Sequence, residues 1–400
     1  MLARSEDTGE TEHKMTRGHR GRLYGPRTAM LTFALLAGCA APSPTKPNEA
    51  EVKEFAQQGY FTDEQYSVTT TSASWGDPKS SFEINLTVPT KPGPFPLIIY
   101  LPGLGETCSA GDFWRSAWAK GGYAVLSIQP LAEDARAWSS AEARSGDFSI
   151  LARERYSGKV MAARINALQS ALTELMLRHD RKEPPIDRVD ASQVAVAGYD
   201  LGAYTAMVIA GESIGDSHPI ALPMPVKAVI ALSPYADFSG APFVERYGGI
   251  HMAVLSITGQ NDGDPLGIVA PPEVRKAPFE YMPSGGKYLL TLSGISHQTL
   301  AGGEIKQQSE KTASKEEANL IPSQDSEPRG RRRSRSKNPT GPRISGKQPS
   351  LTTQAIAVTS IQSVTTAFLD AYLKNDPIAR EWLEKNAPQW IKNHGEIKNK

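Results

Sequence analysis

Between residues 95 and 303 the chain alternates between two textures. Short, nearly continuous apolar runs rich in Val, Ile and Leu stand at FPLIIYLPG (95–103), AVLSI (124–128), DASQVAVAG (190–198), VKAVIALSP (226–234), MAVLSITG (252–259) and KYLLTLSG (287–294). Segments with helical spacing or turn residues separate them. The clearest of these is 160–178, where Ile165, Leu168, Leu172, Leu175 and Met176 share one face. A strand that is apolar throughout is buried on both sides, and helices cover both sides of a sheet only by crossing over between parallel strands. The alternation therefore predicts an α/β fold: a doubly wound, mostly parallel sheet with helices on both faces. Ahead of it, YSVTTTSASW and SFEINLTVP are β-branched, roughly alternating runs that read as an antiparallel hairpin at the sheet edge. Behind it, Ile361, Val364, Phe368 and Tyr372 make an amphipathic helix that closes the sheet.

One strand-to-helix junction carries AVAGYDLGAYTAM (195–207), in which Gly198 and Gly202 flank Asp200 in the frame G-x-D-x-G. The same frame with serine in the middle is a sharp turn that presents a nucleophile. Two more titratable residues follow predicted strands: Asp262 in TGQNDGDP and His297 in SGISHQTLAGG. Carboxyl ends of parallel strands share one edge of the sheet, so the three side chains are expected to meet in the ligand crevice. Asp264, two residues beyond Asp262, stays open as the alternative acid.

The order nucleophile, acid, histidine and the quoted motifs resemble the α/β-hydrolase superfamily over about 95–303 and the helix at 361–373. PLIIYLPGLGET is similar to the oxyanion loop, TGQNDGDP to the acid turn and TAFLDAYLKND to the closing helix of the dienelactone hydrolase and platelet-activating-factor acetylhydrolase-like branch. The resemblance implies an α/β-hydrolase fold and a hydrolase acting on a small-molecule ester, lactone or other hydrolysable substrate. It implies Asp200 at the nucleophile position, His297 as base and Asp262 as its orienting acid. It also implies an oxyanion hole from the backbone N–H groups of Leu104 and Leu201. Pro102 stands where that branch commonly has histidine, and Asp200 where it has serine or cysteine. No cofactor and no metal site is called for.

A carboxylate in the elbow changes the chemistry. In acyl transfer the tetrahedral intermediate expels the better leaving group. A carboxylate leaves with a conjugate-acid pKa of roughly 4, and an alkoxide sits near that of hydroxide, ~15.7. Collapse back to substrate is then favoured by on the order of 10 kcal/mol. Displacement at a saturated carbon suits a carboxylate better, as in the epoxide hydrolases and haloalkane dehalogenases. Those relatives carry a helical cap after the sixth strand, for which the short stretch between VKAVIALSP and MAVLSITG has no room. Tyr199 and Tyr204, beside the elbow, are candidate donors in its place. The second reading is a non-catalytic lipoprotein that keeps the fold for binding or envelope structure, its nucleophile lost.

The flanks are of a different kind. Arg17, Arg20, Arg22 and Arg27 precede a short apolar stretch that ends in Leu36-Ala37-Gly38-Cys39, which resembles a bacterial lipobox. Residues 1–38 then read as a lipoprotein signal, with Met15 as a possible true start. Cys39 is the lipidated residue, 39–60 a tether, 61–304 the core and 351–400 C-terminal helices completing it. The expected location is the cell envelope, on the outer membrane in a Gram-negative source because Ala40 follows Cys39. With Cys39 lipidated, Cys108 is the one remaining cysteine, and no disulfide framework arises. Residues 305–350 are poor in apolar side chains and read as a disordered basic insertion. Its Arg331, Arg332, Arg333 and Arg335 read as a solvated linker rather than a nucleic-acid contact, consistent with a net charge of +1 over the chain. Oligomeric state leaves no mark in the sequence. Cys39→Ser should release the protein from the membrane fraction or leave an uncut precursor, as read by fractionation and gel migration. Unchanged behaviour of that variant removes the lipoprotein reading.

Overall fold

The computed structural model describes residues 47–62, 64–76, 81–214, 220, 222–237, 240–264, 271–302 and 349–400. The expected signal segment, Cys39, and the expected insertion apart from Pro349 and Ser350 lie outside these residues. Among the described residues no helix is long and apolar enough to cross a membrane.

The strands are β1 (Val68–Trp75), β2 (Phe82–Pro89), β3 (Phe95–Leu101), β4 (Ala124–Ile128), β5 (Val189–Tyr199), β6 (Val226–Leu232), β7 (Ala253–Asn261), β8 (Lys287–Ser296) and β9 (Gly395–Asn399). They form one nine-stranded sheet in the order β1-β2-β4-β3-β5-β6-β7-β8-β9. From β4 to β8 every neighbouring pair is parallel. The β1–β2 hairpin and β9 add antiparallel edges. This is an α/β fold with a mostly parallel sheet, as the alternation of textures requires. The chain winds one way from β3 to β4 and the other way from β5 onward. The order reverses between β3 and β5, and their carboxyl ends flank the crevice.

The helices that matter for the site are α1 (Glu49–Gln57), α2 (Asp112–Lys120), three short pieces α3 (Ala132–Ala135), α4 (Ala141–Ser145) and α5 (Phe148–Arg155), then α6 (Gly158–Asp180) and α7 (Leu201–Ala210). A closing helix spans Leu351–Leu373. One face of the sheet packs against α6 through Leu168, Leu172 and Leu175, and against Met207 of α7. The other face packs against Trp114 and Trp118 of α2 and against Ile361, Val364 and Phe368 of the closing helix. Truncating one of these buried side chains to alanine costs about 2–5 kcal/mol. The Trp118 indole N–H also donates to Thr365 Oγ1 at 3.0 Å. Asp370 of the closing helix accepts from the hydroxyls of Tyr60, at 2.9 Å, and Tyr123.

Three parts differ from the sequence expectation. The stretch read as a tether over 39–60 contains α1, capped by Asn48. Phe55 of α1 stacks on Trp390 with ring centroids 4.4 Å apart, and the Trp390 N–H bonds the Phe55 carbonyl at 3.0 Å. A single buried aromatic gives no periodicity to read, and its partner lies at the far end of the chain. The 351–400 segment ends in β9 as well as helices, because GEIKN pairs antiparallel with β8. Finally, β4 leads into α3–α5, a helical excursion too short and too mixed in composition to register as periodic.

Two glycines make the β5–α7 junction possible. A Cβ on Gly198 would run into the backbone of Gly202, and one on Gly202 into the Leu101 carbonyl of β3. Gly158, at the start of α6, is the contrast: a Cβ there would meet Ile214 Cγ2 at 3.8 Å, an ordinary contact. Gly202→Ala should therefore lower unfolding free energy by about 2 kcal/mol or more. Gly158→Ala should raise it by about 0.5–1 kcal/mol. Denaturant midpoints at unchanged slope measure both, and equal midpoints for the two variants contradict this account.

Candidate active site

Asp200 follows the last residue of β5 and precedes the first of α7. Its amide still continues the sheet ladder, donating to Leu232 O at 3.0 Å, and its carbonyl accepts from the Tyr204 amide at 2.9 Å. Between those two commitments the backbone must turn within one residue. It does so at φ 51°, ψ −110°, a conformation that costs a non-glycine residue about 1–3 kcal/mol. The result is a carboxylate projected over the sheet edge, 7% exposed.

His297 begins a short helix directly after β8, with a capping box between Ser296 and Thr299. Its carbonyl accepts from the Tyr199 hydroxyl at 3.0 Å. Its Nδ1 lies 2.9 Å from Asp262 Oδ1, and its Nε2 lies 3.9 Å from Asp200 Oδ1. The three sequence candidates thus meet, with Asp262 as the carboxylate on the imidazole. The charge of the alternative acid, Asp264, is felt at Tyr156. Burial by itself would lower the His297 pKa. The Asp262 hydrogen bond and the charges of Asp200 and Asp262 outweigh burial and the opposing Arg275 charge, so the imidazole titrates above its ordinary value.

Asp262 is fully buried. Its Oδ1 accepts from Ser233 Oγ at 2.7 Å as well as facing His297, and its Oδ2 accepts from Thr258 Oγ1 at 2.7 Å. Ser233 repeats the pattern of Asp200 one strand over: its amide donates to Ile257 O at 2.8 Å, and its backbone then turns to φ 56°. Arg275, with no exposed surface, donates to the carbonyls of Asp262 at 2.8 Å, Ser233 at 3.1 Å and Pro234 at 3.0 Å.

The loop after β3 supplies the candidate oxyanion donors. The Leu104 amide points at Asp200 Oδ2 from 3.4 Å, a long contact. Leu201 opens α7, so its N–H has no carbonyl one turn back to bond. The loop is held from three sides. Gln129 Nε2 donates to the carbonyls of Gly103 and Glu106 at 3.1 and 3.0 Å. Gly105 donates to Asp134 O at 2.8 Å, and Gly103 donates to Glu106 Oε2 at 2.8 Å. Burial pushes the Glu106 carboxyl up to about 7, the Gly103 N–H and His297 opposing the rise and the Asp200 charge adding to it.

The excursion α3–α5 delivers a residue that sequence reasoning missed. The Tyr156 hydroxyl lies 2.9 Å from each oxygen of Asp200. Its ring packs at 4.4 Å from that of Tyr235. Burial and the Asp200 charge push the Tyr156 phenol well above its ordinary value, so it remains a donor. The excursion is tied down by the buried pair Asp134–Arg164, 2.8 Å long. Of the donors proposed from sequence, Tyr199 bonds the His297 carbonyl, and the ring of Tyr204 faces the Arg246 guanidinium. Tyr156 stands 44 residues from Asp200 in the chain. No spacing or motif links the two, nor does any reveal Ser233, Arg275 or Glu106.

The group therefore comprises a carboxylate at a strained turn, a histidine held by a buried acid, two backbone donors and a phenol. Asp200→Asn removes one of the charges that raise His297, so its titration midpoint should fall in an NMR pH series. The stability linked to the raised midpoint is fully present below the ordinary value of 6.5 and lost as pH rises through the folded-state midpoint. That loss should shrink in Asp200→Asn. An unmoved midpoint contradicts the coupling of Asp200 to His297.

Scanning the sequence against protein-family models finds no match, and a search of curated proteins finds none. The chemistry rests on the geometry of this chain.

Proposed function

We propose that the protein is a small-molecule hydrolase with an α/β-hydrolase fold, resembling the dienelactone hydrolase-like branch, in which Asp200 is the nucleophile. The observation that carries this reading is the line Asp200–His297–Asp262, with Nε2 3.9 Å from one carboxylate and Nδ1 2.9 Å from the other. A second contact favours attack at a saturated carbon over acyl transfer. The Leu104 N–H faces an oxygen of Asp200 itself, where negative charge develops if the enzyme's own ester is hydrolysed.

In the first step an Asp200 oxygen attacks an electrophilic saturated carbon, such as that of an epoxide or alkyl halide. The carbon–leaving-group bond breaks, and the leaving group takes the electron pair while Tyr156 turns its O–H toward it. In the second step a water attacks Cγ of Asp200 and gives its proton to His297 Nε2. The amides of Leu104 and Leu201 hold the oxyanion. Its collapse expels the alkoxide, which takes the proton from His297; the second water proton leaves the new Asp200 carboxyl, for the alkoxide of an opened epoxide or for solvent when the leaving group is a halide, and Asp200 regains its carboxylate with one oxygen from water. Asp262 keeps the imidazole in the tautomer with Nε2 bare. The lipobox-like segment adds an envelope anchor to this proposal.

A non-catalytic reading draws on one observation: Tyr156 already engages both oxygens of Asp200. Single turnovers in heavy-oxygen water, with esters, lactones, epoxides and haloalkanes, separate the two. One labelled oxygen should enter Asp200, found by mass spectrometry of its peptide, and His297→Ala should accumulate the alkyl ester. Turnover with no label in Asp200 and undiminished rate in Asp200→Asn rules the mechanism out. No turnover of any class in the wild type returns the non-catalytic reading.

A further inference from the structure

Arg275 stands outside the proposed mechanism, yet it is the one cation buried against the catalytic group among the described residues named above. Its guanidinium touches both ends of the acid: Nε lies 2.8 Å from Asp262 O and 3.5 Å from Asp262 Oδ2. Its Nη1 bonds the carbonyls of Ser233 and Pro234, so it ties the turn after β7 to the turn after β6. Its Nη2 lies 3.5 Å from His297 Nδ1. A guanidinium has five donors and no acceptor, so it cannot take a hydrogen from Nδ1. What it offers the imidazole is fixed positive charge and a fixed frame.

The charges around His297 need that cation. Asp200 on the elbow and Asp262 after β7 press on the ring from opposite sides. Glu106 in the oxyanion loop adds a third carboxyl. Ser233 after β6 and Tyr199 of β5 contribute neutral bonds, at Nδ1 and at the carbonyl. With two carboxylates and no counter-charge, the ring would hold its proton to a higher pH. An imidazolium paired with Asp200 is no base for water. We propose that Arg275 is a positioning residue that fixes Asp262 and Ser233 around His297 and supplies the counter-charge that leaves the imidazole free to act as a base. Its effect on rate rests on the hydrolase reading above; its effect on the imidazole does not.

The test follows His297 by NMR through a pH titration in wild type, Arg275→Gln and Arg275→Lys, using the full chain and no substrate. The resonance is assigned by its loss in His297→Gln. Arg275→Gln should raise the midpoint by about one unit or more, the size of shift that a single nearby charge produces. Arg275→Lys, which keeps the charge but not the fork, should titrate close to wild type while melting lower. On a substrate that the wild type turns over, Arg275→Gln should be about tenfold slower at a pH below the wild-type midpoint and recover about one unit higher, because each unit of midpoint is there a tenfold change in free base. A merely structural loss does not recover with pH. An Arg275→Gln midpoint equal to wild type overturns the proposal. If Arg275→Gln does not fold, an upward shift in Arg275→Lys overturns it, since the charge is still present. Should the hydrolase reading be the one that fails, no protein turns over any substrate while the NMR shift remains. Should this inference fail, the wild type turns over with label in Asp200 and the shift is absent.

Discussion

The contact between Gly202 and the Leu101 carbonyl sets the geometry of the whole crevice. Parallel β3 and β5 are neighbours, with Leu101 opposite Gly198, and the loop leaving β3 must pass over the first turn of α7. Any side chain at Gly202 separates them. Because the two backbones touch, the Leu104 amide arrives within 3.4 Å of the Asp200 carboxylate. The same closeness leaves Asp200 one residue in which to change direction, hence its positive φ. The strain is held by the ladder bond to Leu232 on one side and by helix α7 on the other.

Burying charge is the second constraint. Isolated buried carboxylates are costly, and this molecule satisfies them in pairs and networks. Asp262 has Ser233, Thr258, His297 and Arg275 around it. Asp134 holds Arg164 with its side chain and Gly105 with its carbonyl, which couples α6 to the loop after β3. Such networks add little net stability over well-packed apolar groups, but removing one member leaves another charge buried alone. Their value here is positional: each fixes a loop that carries a group of the candidate site.

The excursion α3–α5 resolves a difficulty raised by the sequence. A carboxylate nucleophile that displaces a leaving group needs a donor opposite it, and the stretch between β6 and β7 is too short to form a cap. The chain instead departs earlier, after β4, and Tyr156 returns over the elbow. The same phenol engages both oxygens of Asp200, so in the proposed reaction its hydroxyl would have to change partner.

Much was legible in the sequence because it depends on local rules. Alternating apolar runs and amphipathic segments dictated a mostly parallel sheet, since continuous apolar strands must be covered on both sides. G-x-D-x-G marked the elbow, since only glycine fits where two backbones touch. Asp262 and His297 could be named because strand ends in a parallel sheet gather at one edge. The rest is set by distance in space between residues distant in sequence. Tyr156, Ser233, Arg275 and Glu106 sit in segments with no periodicity or motif, and α1 and β9 find partners only across the length of the chain. A buried cation acts through charge at a few ångströms, and a hydroxyl donates to whatever lies within about 3 Å. Neither separation exists until the chain has folded, so the sequence determined the framework and the tertiary structure alone decided which side chains complete the site.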